Sequence, residues 1–90
     1  MKDNPDVVAV LIDVVSSRHA DRIRQHADLL SAIEAVNAAV PALDDLRPTT
    51  GDEFQGVYPT LGAALNALYR LRLLVSPATD LRAGLGGGEV

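Results

Sequence analysis

Ninety residues are enough for one small domain, because little surface can be buried at this size. Hydrophobic residues make up 48% of the chain and charged residues 22%, which is the balance of a folded protein and not of a disordered one. The net charge of −4 argues against a broad nucleic-acid surface, and the absence of cysteine excludes disulfides and thiolate metal sites.

The start of the chain, MKDNPD, has no signal-peptide pattern, and its longest apolar run is too short to span a bilayer. We therefore expect a cytoplasmic protein with no membrane partner and no direct nucleic-acid binding.

The N-terminal half predicts a strand followed by a long helix. Residues 7–12 are a continuous apolar run rich in β-branched side chains, typical of a strand buried on both faces, and Asp13 ends it. A helix is predicted from about residue 19 to residue 40, and Pro41 ends it. Its expected core face recurs at spacings of three and four: Ile23, Ala27, Leu30, Ile33, Val36 and Val40.

The C-terminal half predicts a hairpin, a second helix and a last strand. Residues 42–50 read as a short edge strand, where Pro48 is tolerated, and residues 53–58 return as a strand. Thr60 is the predicted N-cap of a helix that stops before Pro77, and the last strand covers residues 80–85. The helix has an apolar stripe that we interpret as core and not as a partner-binding surface: Leu61, Ala64, Leu65, Leu68, Leu71 and Val75.

This order predicts an α+β, ferredoxin-like βαββαβ fold, with an antiparallel four-stranded sheet and two helices on one face. Right-handed crossovers place the first two strands parallel, with the third between them. Asp13 would then lie at the same end of the sheet as the hairpin that holds Asp52. Ser16, Ser17 and Arg18 would lie there too, at the start of the first helix.

Three segments in this order, IDVVSSR (12–18), GDEFQG (51–56) and LRAGLGGGEV (81–90), together resemble the SatD family, an uncharacterised bacterial family. That family in turn resembles the palm domain of class III nucleotidyl cyclases and GGDEF diguanylate cyclases. The resemblance implies that Asp13 and Asp52 are ligands of Mg²⁺ or Mn²⁺ and that Glu53 supplies a further carboxylate. It also implies that Ser16, Ser17 and Arg18 face the phosphates of a nucleotide.

Departures from the palm pattern limit what the resemblance implies. Thr50 replaces the first glycine of the GGDEF signature, and Pro48 stands where many class III cyclases carry a purine-reading lysine. The later cyclase segments that bring transition-state groups are missing, and SatD members are longer than 90 residues. We therefore expect one domain over residues 1–90 that matches the N-terminal part of a longer architecture, with a partial, regulatory site and no cyclase activity.

Simpler roles compete with each of these assignments. Asp13 could cap the next helix and Asp52 fill an Asx turn, while Ser16, Ser17 and Arg18 could be ordinary capping residues. For the whole chain, the alternative is a non-catalytic interaction or dimerisation module with no ligand. One face of the predicted sheet is bare although the first strand is apolar on both sides, so a homo-oligomer or a missing C-terminal region would cover it.

Overall fold

The computed structural model of the chain describes residues 6–15, 22–49, 53–75 and 80–89, which form the predicted βαββαβ order. The strands are β1 (Asp6–Val15), β2 (Asp44–Pro48), β3 (Glu53–Tyr58) and β4 (Asp80–Glu89). The helices are α1 (Arg22–Ala39) and α2 (Leu61–Val75). The sheet order is β2-β3-β1-β4 with every neighbouring pair antiparallel, which confirms the predicted ferredoxin-like fold.

The first strand is central, as its apolar sequence predicted, but two details of that prediction are wrong. Val8, Val10 and Ile12 are buried under the helices, whereas the alternate residues Ala9 and Leu11 are exposed on the open face of the sheet. Asp13 does not end the strand, because β1 continues to Val15 in its pairing with β4. A run of apolar residues does not reveal which face the rest of the chain leaves uncovered.

The core lies between the helical face of the sheet and one side of each helix. On α1 the buried residues are Leu29, Ala32, Ile33 and Val36, and Val40 is buried directly after the helix, so the predicted core positions Ala27 and Leu30 are wrong. Leu29 and Leu30 are adjacent, and either could begin a stripe at helical spacing. The side chain of Ile23 lies outside the described part of the chain.

The second helix begins where the sequence predicted. The hydroxyl of Thr60 accepts a hydrogen bond of 3.0 Å from the backbone N–H of Ala63, as an N-cap residue does. Its core face consists of Ala64, Ala67, Leu71 and Val75, with Leu68 partly buried. Leu61 and Leu65 are exposed, so assigning them to the core was wrong.

The edge strand β2 is attached to α1 through the backbone of Leu46. The Asn37 side chain donates to the Leu46 carbonyl and accepts from the Leu46 N–H, both at 3.0 Å. The pairing of β2 with β3 shifts register between Asp44 and Arg47, so Leu46 lies where the ladder is interrupted. A Cβ on Gly56 would come within 2.9 Å of a methyl carbon of Leu46, so the glycine leaves room for this buried leucine.

Replacing Asn37 with alanine should destabilise the fold, because the backbone N–H and carbonyl of Leu46 lose their side-chain partners. We expect a loss of about 1–3 kcal/mol in the free energy of unfolding, measured by urea denaturation. Asn66→Ala is the matched control, since Asn66 only accepts an exposed bond from Arg70 one turn along α2. Equal effects of the two substitutions would show that the Asn37–Leu46 pair does not anchor β2.

A buried phenol lies at the end of β3. Tyr58 is fully buried, and among the described residues its hydroxyl has no hydrogen-bond partner. Burial, with a smaller contribution from the charge of Asp45, raises the pKa of Tyr58 from 10.0 to about 12. The phenol therefore remains neutral in the fold at a pH where it already ionises in the unfolded chain.

This pKa predicts a loss of stability in alkali. Below pH 10 the phenol is neutral in both states and does not affect the pH dependence. Between pH 10 and about 12 only the unfolded state ionises. The free energy of unfolding should then fall by about 1.4 kcal/mol per pH unit relative to a Tyr58→Phe variant. Parallel denaturation curves of both proteins would measure this, with Tyr69→Phe, a change at an exposed ring, as the control.

Candidate functional site

Three charged residues form a row across the open face of the sheet, near one end. Asp13 on β1 is paired with Glu53 on β3 and with Arg82 on β4. Directly opposed residues of antiparallel strands point to the same face, with Cα atoms about 4.5–5.5 Å apart. Asp13 and Arg82 are exposed and Glu53 is half-buried, so water reaches the row.

The carboxylate of Glu53 belongs to the closure of the β2–β3 hairpin. The Thr49 backbone N–H donates to the Glu53 carbonyl at 2.9 Å, and the Thr49 hydroxyl lies 3.3 Å from both that carbonyl and the Glu53 Oε1 atom. These contacts hold Glu53 where the hairpin reaches the sheet. The Thr49 hydroxyl has only one hydrogen to donate, so most acceptor sites of the Glu53 carboxylate remain available for another ligand.

The other predicted site residues lie outside the described part of the chain. They are Asp52, next to Glu53 in sequence, and Ser16, Ser17 and Arg18, which follow β1. The structure therefore brings Asp13 beside Glu53 but does not test the predicted Asp13–Asp52 pair or the predicted phosphate loop. Within the described residues, no three His, Cys, Asp or Glu side chains form a group that could hold a metal ion.

Sequence reasoning missed Arg82 as a member of this site. The β1–β4 register places Arg82 directly opposite Asp13. No hydrogen bond or ion pair joins the two side chains. If β1 had been predicted to continue beyond Asp13 and to pair with residues 80–85, Arg82 would have been identified as a neighbour of Asp13.

The glycine-rich segment lies away from this row. Gly84 to Gly88 pair with Leu11 to Val7, toward the opposite end of β1. The segment is part of β4, which continues to Glu89 and does not end at Leu85. It is a regular edge strand and not a phosphate-binding loop, because no helix follows it within the described residues.

Comparison with known proteins adds little to this geometry. No family model and no curated protein matches the chain. Among solved structures, it is similar to a de novo designed protein, Foldit4, at 12% identity and a TM-score of 0.48. The match covers 90% of this chain and 96% of that one. Within the described ranges, neither helix is long and apolar enough to cross a membrane.

Proposed function

We propose that the acidic edge formed by Asp13, Asp52 and Glu53 is a weak site for Mg²⁺ or Mn²⁺ that binds a nucleotide through its phosphates. The observation that supports it is the cross-strand pairing of Asp13 with Glu53 on an accessible face. Ser16, Ser17 and Arg18 would contact the phosphates from the segment that follows β1. The role we assign to the domain is regulatory, with no catalysis.

Electrostatics favour a cation at this position. Two carboxylates opposed on neighbouring strands repel each other, and the repulsion is relieved when a positive charge lies between or beside them. Arg82 provides one such charge, but its position opposite Asp13 leaves Glu53 on the other side of β1. A hydrated divalent ion could interact with both carboxylates at once.

The donor atoms favour magnesium or manganese over zinc. Carboxylate oxygens suit hard divalent cations, whereas zinc prefers the imidazole and thiolate ligands that this row lacks. Magnesium keeps several of its waters, and phosphates often complete its shell. Affinity for the free ion should therefore be weak and should increase when a nucleoside triphosphate is present.

The site can be tested by Mn²⁺ titration, because bound Mn²⁺ broadens the NMR signals of nearby residues. We expect selective broadening around Asp13 and Glu53 at low Mn²⁺ concentration. An Asp13→Asn, Asp52→Asn double variant should lose it and should not be stabilised by Mn²⁺. In metal-free buffer the same variant should be slightly more stable than wild type, since like charges are removed.

Glu34→Gln, on an exposed position of α1, is the control for removing one negative charge elsewhere. Adding a non-hydrolysable nucleoside triphosphate should make the broadening in wild type appear at lower Mn²⁺ concentration. It should have no such effect in the double variant. If wild type and the double variant respond alike to Mn²⁺, the carboxylates have no role in cation binding and this proposal is wrong.

Arg82 gives a second, opposite prediction. Its positive charge lies beside the proposed cation, so Arg82→Gln should tighten Mn²⁺ binding while Asp13→Asn weakens it. At a Coulomb energy of about 1 kcal/mol per charge pair near water, the gain should be roughly two- to tenfold in affinity. Calorimetric titration of both variants would measure it, and weaker binding by Arg82→Gln would contradict this electrostatic account.

One observation favours a second candidate function, a dimerisation module that buries the open face of the sheet. Leu11, at the centre of that face, is 44% exposed, and its neighbour Ala9 is exposed as well. The paired residues Gly84 and Gly86 on β4 add no side chain to cover them. If this candidate is correct, Leu11→Asn, which adds no charge beside Asp13, should weaken self-association without affecting Mn²⁺ binding.

A further inference from the structure

The exposed apolar surface of the described chain is concentrated on α2 and β4. Six of the nine large hydrophobic side chains exposed in the described part belong to these two elements. Four of them recur every fourth residue along α2 and so form one stripe, which we call the α2 stripe: Leu61, Leu65, Tyr69 and Leu73. A contiguous apolar patch on a small domain is typical of an interaction surface.

The α2 stripe borders an open groove of about 730 Å³ between α2 and β4. Leu65 and Tyr69 line it from the helix, and Leu81 and Ala83 line it from the strand. Leu85, the next residue on the same side of β4, is 42% exposed. The groove therefore lies along the outer flank of the domain, on the side of the sheet that faces the helices.

The outer edge of β4 continues this surface. β4 is the last strand of the sheet, and its ten residues pair only with β1 among the described residues. Unpaired backbone donors and acceptors on a long edge strand can pair with another strand. No atom lies within 4 Å of the place where a Cβ would stand on Gly84, Gly86 or Gly87, so the faces of the sheet beside this edge are uncrowded.

We infer that the occupant is a second copy of this chain, whose β4 pairs antiparallel with the first about a twofold axis at Gly84. Such pairing would join the two sheets into one of eight strands and place the two α2 helices side by side. The two copies would bury the same patch, as in most homodimers. The inference concerns the helical side of the sheet and does not depend on the proposed cation site.

The sequence of β4 is complementary to itself in this register. Leu85 of each copy faces Ala83 of the other, so a large side chain meets a small one beside the groove that Leu65 and Tyr69 border. A twofold axis at Leu85 would instead place Gly87 opposite Ala83 and leave the groove empty. On the open face, Arg82 faces Gly86, so no like charges oppose each other in the ladder.

The size and charge of this flank predict a weak dimer. A ten-residue strand is about 33 Å long, and a fifteen-residue helix is about 22 Å long. A flank of this length buries on the order of 500 Å² per copy, at the low end for specific interfaces. Arg72 borders the groove in each copy, so the two guanidinium groups come close together and salt should strengthen the association by screening them.

Disulfide crosslinking tests the pairing directly, because the chain has no native cysteine. In a Gly84→Cys variant the two cysteines would be directly opposed, with Cα atoms about 4.5–5.5 Å apart, within reach of a disulfide. In Gly86→Cys they would be four residues out of register, about 13 Å apart, and could not bridge. Both positions tolerate a Cβ, so the variants are matched in fold.

We expect Gly84→Cys to form a covalent dimer under mild oxidation and Gly86→Cys to remain monomeric on a non-reducing gel. The difference should disappear in denaturant. Equal crosslinking of the two variants, or preferential crosslinking of Gly86→Cys, would overturn the proposed register and with it the twofold axis at Gly84.

Sedimentation at high micromolar concentration measures the association without a crosslink. Leu85→Arg should weaken dimerisation about tenfold or more, whereas Leu43→Arg, at an exposed leucine before β2, should leave it unchanged. If circular dichroism shows that the Leu85→Arg variant does not fold, Leu65→Arg, at an exposed position of α2, is used in its place. A monomeric wild type would overturn the proposal. Dissociation by Leu11→Arg and not by Leu85→Arg would also overturn it, because the contact would then lie on the open face of the sheet.

Discussion

The position of β1 at the centre of the sheet is the constraint on which the rest of this structure depends. It pairs with β3 over residues 8–13 and with β4 along its whole length, so it sets the register of both neighbours. Side chains alternate between the two faces along β1, and the register then determines which face of the sheet each residue of β3 and β4 points to. Val8, Val10 and Ile12 fix the buried side, and through them Phe54 and Tyr58 of β3 enter the core. The same register brings Glu53 and Arg82 beside Asp13 on the other side.

The sequence was sufficient to predict the order, type and topology of the elements, because helical periodicity, prolines and the Thr60 cap mark them locally. It did not predict which side of each helix is buried where apolar residues are abundant. Leu29 and Leu30 are chemically equal, yet only Leu29 is buried, because α1 packs with that side toward the sheet. Leu61 and Leu65 were assigned to the core for the same reason, although α2 turns them away from it.

The candidate site was predictable only in part for a related reason. The sequence predicted that Asp13 and Asp52 could meet, with Glu53 as a further carboxylate implied by the family resemblance, but the direct pairing of Asp13 with Glu53 follows from the strand register. The same holds for Arg82, which is far from Asp13 in sequence but directly opposite it in the β1–β4 pairing. Likewise, Gly56 belongs to a segment read as part of a cation-binding motif, and its space accommodates Leu46. A residue within a motif can therefore be required for packing.

Strand alternation keeps the two surfaces of β4 separate. Arg82 faces the open side, beside Asp13, whereas Ala83 and Leu85 face the side that carries α2. Pairing of a second strand with the outer edge would use backbone groups and the helical side, and would leave Arg82 opposite a glycine. The row of charged residues would then remain accessible to solvent and to ions in a dimer. A cation at Asp13 and a partner on β4 can therefore bind independently, since no side chain is common to both surfaces.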